Sequence, residues 1–214
     1  DGAEMTAVLA AMKARGTYLE PTLWVFGREE VPPVVARWGA ALTVRAMAAG
    51  IPILAGTDGF VEPDTTAPPT IHREVDYDTA LSRVVNTWKT CADIAADYGQ
   101  YVTWEFEPGF AFNKPSDIVR VHDGVNKANF GLQYDTCHGQ MVGVNGSRQE
   151  GEKETFGTQV EFLQFLSGRI NHIHLIDSDN TCHKDANGDD ETSTHPPFGL
   201  GIIDFDVVLP ALVK

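Results

Sequence analysis

The sequence predicts a parallel β/α fold of the barrel type, and three observations carry that expectation. Strand-like apolar runs alternate with amphipathic helical stretches along the chain, the pattern of a parallel sheet covered by helices. Gly16, Gly50 and Gly99 each close a helical stretch, the expected punctuation at a helix C-terminus. Three successive runs, over Tyr101–Gly109, Phe130–His138 and Ile170–Asp177, end in carboxylates and imidazoles. A parallel barrel presents the C-terminal ends of its strands on one face, so a single site can gather all of these groups.

Taken in order, Ala3–Arg15 reads as a helix with Met5, Val8, Leu9 and Met12 on one side, and residues 17–24 read as a strand. A second helix spans Val34–Ala49 and leads to the strand Ile51–Thr57, followed by a Pro-rich loop over Val61–Pro69. The third helix covers Asp78–Tyr98 and feeds the strand that carries Glu105 and Glu107. Pro115–Val121 opens a short helix, with Asn113 or Ser116 as its cap. The Asp135 strand is followed by a polar loop, then a helix over Thr158–Ser167. After the Ile170 strand comes a long polar loop, Ser178–Gly201, and a last helix beginning at Ile203–Asp206. The sum is about five strands and six helices, fewer strands than the eight of a closed barrel. An open sheet leaves edges that need cover or pairing, so the expectation is an incomplete or hybrid barrel, or one completed by homo-oligomer formation.

Bulk properties narrow the function. The 214-residue chain is 43% hydrophobic and 21% charged, an ordinary globular composition. A net charge of −14 argues against nucleic acid, which demands a basic footprint. Cys91, Cys137 and Cys182 are odd in number and form no Cys-x-x-Cys pair, so neither a disulfide framework nor a structural zinc site is expected. No signal peptide and no run of membrane-spanning length is read from the sequence. A cytoplasmic protein acting on a small molecule is the expectation.

From Asp76 onward the motifs Trp104-Glu-Phe-Glu-Pro-Gly109, Tyr134-Asp-Thr-Cys-His138, His172-Ile-His174 and Gly199-Leu-Gly-Ile-Ile-Asp-Phe205 resemble the xylose-isomerase-like superfamily of sugar isomerases and epimerases. That resemblance implies a metal-dependent TIM barrel, with one ligand from each of four strands. Glu105, Asp135 and His174 match the first three, and His138 matches a position that touches substrate. The fourth ligand is an acid from a strand after the Asp204 helix. An arginine common in the family near position 180 is replaced by Asn180. Residues 1–75 are similar instead to imidazolonepropionase-like amidohydrolases, through Gly16-Thr-Tyr-Leu-Glu-Pro-Thr-Leu23, Ala48-Ala-Gly-Ile-Pro-Ile-Leu-Ala-Gly-Thr-Asp58 and Ile71-His-Arg-Glu74. There Asp58 matches a metal-binding, proton-handling aspartate. Together the two resemblances imply two barrel fragments, 1–75 and 76–214, joined near Glu74–Asp78 and packed separately or as one domain.

An oxygen-rich ligand set with one imidazole suits Mn²⁺, Mg²⁺ or Co²⁺ better than Zn²⁺. Such an ion would polarise a sugar carbonyl and its neighbouring hydroxyl. Glu105 and Glu107 lie two apart on a strand and face one side, one to bind metal and the other to act as base or support. His172 and His174 share a face in the same way. The expected site is therefore Glu105, Asp135 and His174 for metal, with Asp58 as a stand-in for the fourth acid. Glu105, Glu107 and His138 are expected to be catalytic, and His138, His172 and Asp177 to contact substrate or orient a ligand. The leading expectation is a sugar or sugar-phosphate isomerase or epimerase moving a proton at a carbon next to a carbonyl. Two alternatives stay open: an amidohydrolase centred on Asp58, and a barrel scaffold without catalysis.

Overall fold

A computed structural model describes residues 2–16, 19, 32–53, 75–184, 188 and 190–213. Asp58 lies outside the described residues. The chain divides into two compact units, Asp1–Pro63 and Asp64–Lys214, a boundary upstream of the junction expected near residue 75. In the first unit, helices α1 (Gly2–Arg15) and α2 (Pro33–Ala49) follow the expected spans. Their apolar faces enclose Leu9, Ala46 and Ile51, with Met5, Met12, Leu19, Leu42 and Ile53 packed around them. Pro33 opens α2, where its missing N–H is no loss. Gly50, at φ 77, closes it. Leu19 and Ile53 form a single parallel bridge, at the two places where strands were expected.

The second unit contains α3 (Tyr77–Asp97), β1 (Val102–Glu105), α4 (Pro115–Val125), β2 (Phe130–Asp135), α5 (Thr136–Gly139), α6 (Gln159–Phe165), β3 (Ile170–His174), β4 (Cys182–Lys184), β5 (Asp190–Ser193) and α7 (Phe205–Leu212). Strands β1, β2 and β3 form a parallel sheet in that order. Every residue of the central strand β2 is buried, as a parallel strand covered on both faces should be. The parallel sheet and its intervening helices bear out the TIM-type β/α class, with the described residues forming only part of a barrel. Among the described residues no helix is long and apolar enough to cross a membrane.

Register decides which side chains meet. Thr103 pairs with Gly131, and Glu105 with Gln133. Gln133 pairs with His172, and Asp135 with His174. Because side chains alternate along strands, Glu105, Gln133, Asp135, His172 and His174 share one face. On the other face Leu132, Tyr134 and Phe106 join Ile118, Phe162 and Leu166 of the covering helices in one core, against which Trp104 and Ile170 pack. Thus the apolar face anchors the sheet and leaves the polar face for chemistry. Gly131 serves this pairing directly: a Cβ there would lie 2.3 Å from Asn171 Cγ, whose amide reaches across to the Val102 carbonyl at 3.1 Å.

Three expectations need correction. Neither Asn113 nor Ser116 caps α4. Instead the Glu154 carboxylate, from 38 residues downstream, accepts from Ser116 N at 2.8 Å and Ser116 Oγ at 2.7 Å. The stretch after Asp135 is no simple polar loop, since α5 runs straight into a π-helical turn over Gln140–Val144. The supposed loop Ser178–Gly201 contains the antiparallel hairpin β4–β5. These residues lack the apolar alternation that marks a strand, and their pairing is supported by contacts with the sheet end.

Candidate metal centre

The polar face culminates where β1, β2 and β3 end. One ligand atom each from Glu105, Asp135 and His174 lie within 4.8 Å of one another. His174 Nδ1 stands 3.5 Å from Glu105 Oε1 and 3.8 Å from Asp135 Oδ2. Gln133, between them on β2, places its amide nitrogen 3.1 Å from His174 Nδ1. Asp135 also caps α5: its Oδ1 accepts from Cys137 N at 2.7 Å and His138 N at 3.1 Å. The strand therefore ends in a turn that fixes the carboxylate, and Gln159 secures the turn by donating to the Thr136 carbonyl at 3.0 Å. Thr136 Oγ1 in turn accepts from Ile176 N at 2.9 Å, tying this corner to the chain beyond β3.

The electrostatics are uneven. Burial pushes the Asp135 carboxyl up to about 7 against its two backbone hydrogen bonds, and the Glu105 charge adds to the rise. Burial also raises Glu105, but hydrogen bonds from His174 and Gln133 and the influence of His138 outweigh it and hold the group below its usual value. Asp135 Oδ2 is buried and has no hydrogen-bond partner. A buried polar atom left so is costly unless something else satisfies it. The sequence resemblance implies a divalent cation here. The residues fit one: two carboxylates, one imidazole and an orphaned carboxylate oxygen that a cation would satisfy.

His138 completes the rim. Its Nε2 lies 3.9 Å from both Glu105 Oε1 and Glu107 Oε2, and its Nδ1 lies 3.0 Å from Ser193 Oγ. Burial pushes it down to about 3, against the pull of Glu105, so the ring is neutral near pH 7. Thr192 donates to Glu107 Oε2 at 2.6 Å, and the His195 ring lies 4.9 Å from that of His138. The hairpin β4–β5 and the residues just after it thus hold the outer part of the site.

The family model described as xylose isomerase-like TIM barrel matches residues 41–214. The chain belongs to the xylose isomerase-like TIM barrel family. The match runs continuously through the expected junction near residue 75, and the amidohydrolase likeness of residues 1–75 is not shown. Solved structures resemble this xylose isomerase-like chain at the level of fold. One is a D-tagatose 3-epimerase-like protein (TM-score 0.54, 17% identity, all of this chain and 72% of the other). Another is a D-psicose 3-epimerase in the presence of D-fructose (TM-score 0.52, 17% identity, all of this chain and 66% of the other). A third is a D-allulose 3-epimerase from Methylomonas sp. (TM-score 0.50, 17% identity, 98% of this chain and 64% of the other). No curated protein sequence matches the chain.

Of the residues singled out in this xylose isomerase-like sequence, Glu105, Glu107, Asp135, His138 and His174 come together. His172 lies beside them, its ring 5.3 Å from that of His174. Asp177 is used otherwise. Its oxygens accept from the N–H groups of Ser178, Gly199, Gly201 and Ile203, and the residue is 1% exposed. Burial alone would raise its pKa, but those four bonds hold it low. Its carboxylate anchors the loop before α7. Asn180, at the position of the family arginine, has φ 62 and accepts from Gln140 and Asn145. Sequence reasoning missed Gln133, Thr192, Ser193 and His195. Gln133 could have been found, since it sits two before Asp135 on the same strand face.

Proposed function

We propose that this chain acts on a sugar or sugar phosphate as a divalent-metal-dependent isomerase or epimerase, moving a proton at a carbon next to a carbonyl. One observation supports this most: three ligand-capable atoms, one from each of three adjacent parallel strands, approach within 4.8 Å around a buried carboxylate oxygen that accepts no hydrogen bond. Glu105, Asp135 and His174 would hold Mn²⁺, Mg²⁺ or Co²⁺, the ions such donors favour. When bound, that ion supplies Lewis-acid polarisation of the carbonyl and the adjacent hydroxyl.

The remaining residues divide the proton work. Glu107 is oriented by the Thr192 hydroxyl and takes the proton from one carbon, then delivers it to the neighbouring carbon of the enediolate. In the tautomer where Ser193 Oγ, 3.0 Å away, donates to Nδ1, neutral His138 carries its proton on Nε2 and offers it to a sugar hydroxyl or carbonyl oxygen. His172, its ring 5.3 Å from that of His174, adds a contact to the substrate. The strongly acidic chain has no basic footprint to attract polyanions.

Metal per chain is measured after manganese loading and desalting, followed by a ketose panel in deuterated water. The expected result is about one ion per chain, lost in Glu105→Gln and His174→Ala. Glu107→Gln should keep the ion and lose about 10²-fold or more in exchange of the carbon-bound proton, the scale of a general base. A parent protein that binds no manganese would overturn this reading and leave the non-catalytic scaffold.

A further inference from the structure

Next to the oxygen-rich corner lies a second group of donors that the proposed reaction does not use. Asp135, Cys137 and His195 each offer one ligand atom, and these atoms all lie within 4.8 Å of one another. Two independent pieces of the fold build the group. Cys137 is presented by the α5 turn, whose N-terminus Asp135 caps, and His195 follows β5. The Cys137 thiol, fully buried, donates to the Thr194 carbonyl at 3.1 Å, so the sulfur is held against the same segment that carries His195. His195 itself is exposed and open to an arriving ion.

The second observation is the carboxylate at the shared corner. Asp135 is 1% exposed. Its Oδ1 already accepts two backbone N–H groups, while its Oδ2 has no hydrogen-bond partner. A thiolate, an imidazole and a carboxylate form a donor set typical of zinc, at about 2.0–2.3 Å from the ion with a fourth position left for water. Thiolate selects such ions against manganese and magnesium.

We propose that Asp135, Cys137 and His195 form a second metal site, selective for Zn²⁺ and similar thiophilic divalent ions. On binding, a metal–sulfur bond forms and the thiol proton leaves to solvent, so the Thr194 carbonyl loses its donor. The site shares the Asp135 carboxylate with the isomerase corner, while Cys137 and His195 are donors of its own.

Cobalt serves as the probe, titrated into the full metal-free chain under reducing conditions. A sulfur-to-cobalt charge-transfer band in the near ultraviolet is expected, bleached by one equivalent of Zn²⁺ and retained in an excess of Mn²⁺. It should vanish in Cys137→Ser and persist in Cys91→Ser and Cys182→Ser. His195→Ala should weaken cobalt binding about tenfold or more, since losing a ligand costs no less than losing a group that supports one. Absence of the band in the parent, or its persistence in Cys137→Ser, overturns the proposal. Glu105→Gln separates the two readings, since it should lose manganese and keep the band.

Discussion

Three aspartates show how differently one side chain is held in this chain. Asp135 is buried with one satisfied and one orphaned oxygen, Asp177 is buried with four donors, and Asp123 is half exposed beside Arg169. The Arg169 guanidinium grips Asp123 in a two-pronged bond, 2.9 Å from Nε and 2.9 Å from Nη2. Arg169 is the main cause holding the carboxyl at about 2, below the usual 3.8. A depressed folded value means that the pair stabilises fully above the unfolded value near 3.8. That contribution fades as the pH falls through 3.8 towards 2. Since the Asp123 side chain is 51% exposed, solvent limits the contribution to about 1 kcal/mol or less. Urea midpoints of the parent and Arg169→Met should therefore differ near pH 6 and converge near pH 2. A gap that widened on acidification would rule out this pairing as the cause.

Among the elements, the π-helical turn Gln140–Val144 carries a sharp packing constraint. Gly143 sits against the core, where an added Cβ would lie 2.1 Å from Phe162 Cδ1 and 2.5 Å from Phe162 Cγ. Phe162 is fully buried among Phe106, Tyr134 and Phe156, so its ring has little room to retreat. Gly143→Ala should cost about 1–3 kcal/mol, the usual penalty of overpacking, read as a lower urea midpoint. Gly168→Ala is a poorer comparison because its φ of 76 brings backbone strain. Gly2→Ala, with open space around it, is the fair control. The same contrast explains what the sequence discloses. Strands β1, β2 and β3 were legible because Trp104, Phe106, Leu132, Tyr134 and Ile173 alternate with polar side chains, and alternation is what a two-sided sheet imposes. The Glu105, Asp135 and His174 grouping was legible because strand ends in a parallel sheet converge. Strands β4 and β5 were not, since Asp190–Ser193 and Cys182–Lys184 carry no apolar period. Ser193 and Thr192 meet His138 and Glu107, partners 55 and 85 residues away. No local pattern records such contacts.

For the whole molecule, the candidate metal corner sets stability against function. With Asp135 pushed up to about 7 by burial, the metal-free fold carries a carboxylate in an environment that disfavours its charge. A cation that binds the folded state alone stabilises it by mass action, about 2.7 kcal/mol at a hundredfold excess over its dissociation constant. Manganese should therefore raise the melting temperature by several degrees for a chain of this size, about 2–4 °C per kcal/mol. Asp135→Asn separates the two effects. An Asn carbonyl can still accept from Cys137 N and His138 N, while its NH₂ group faces Glu105 and His174 as a donor and carries no charge. The metal-free variant should melt at or above the parent, and manganese should barely move it, because the mass-action gain falls away with the lost ligand. A variant that melted well below the metal-free parent would mean that the charge on Asp135 stabilises the fold rather than taxing it. The corner would then be structural, and the gain expected from manganese would have to be sought elsewhere in the chain.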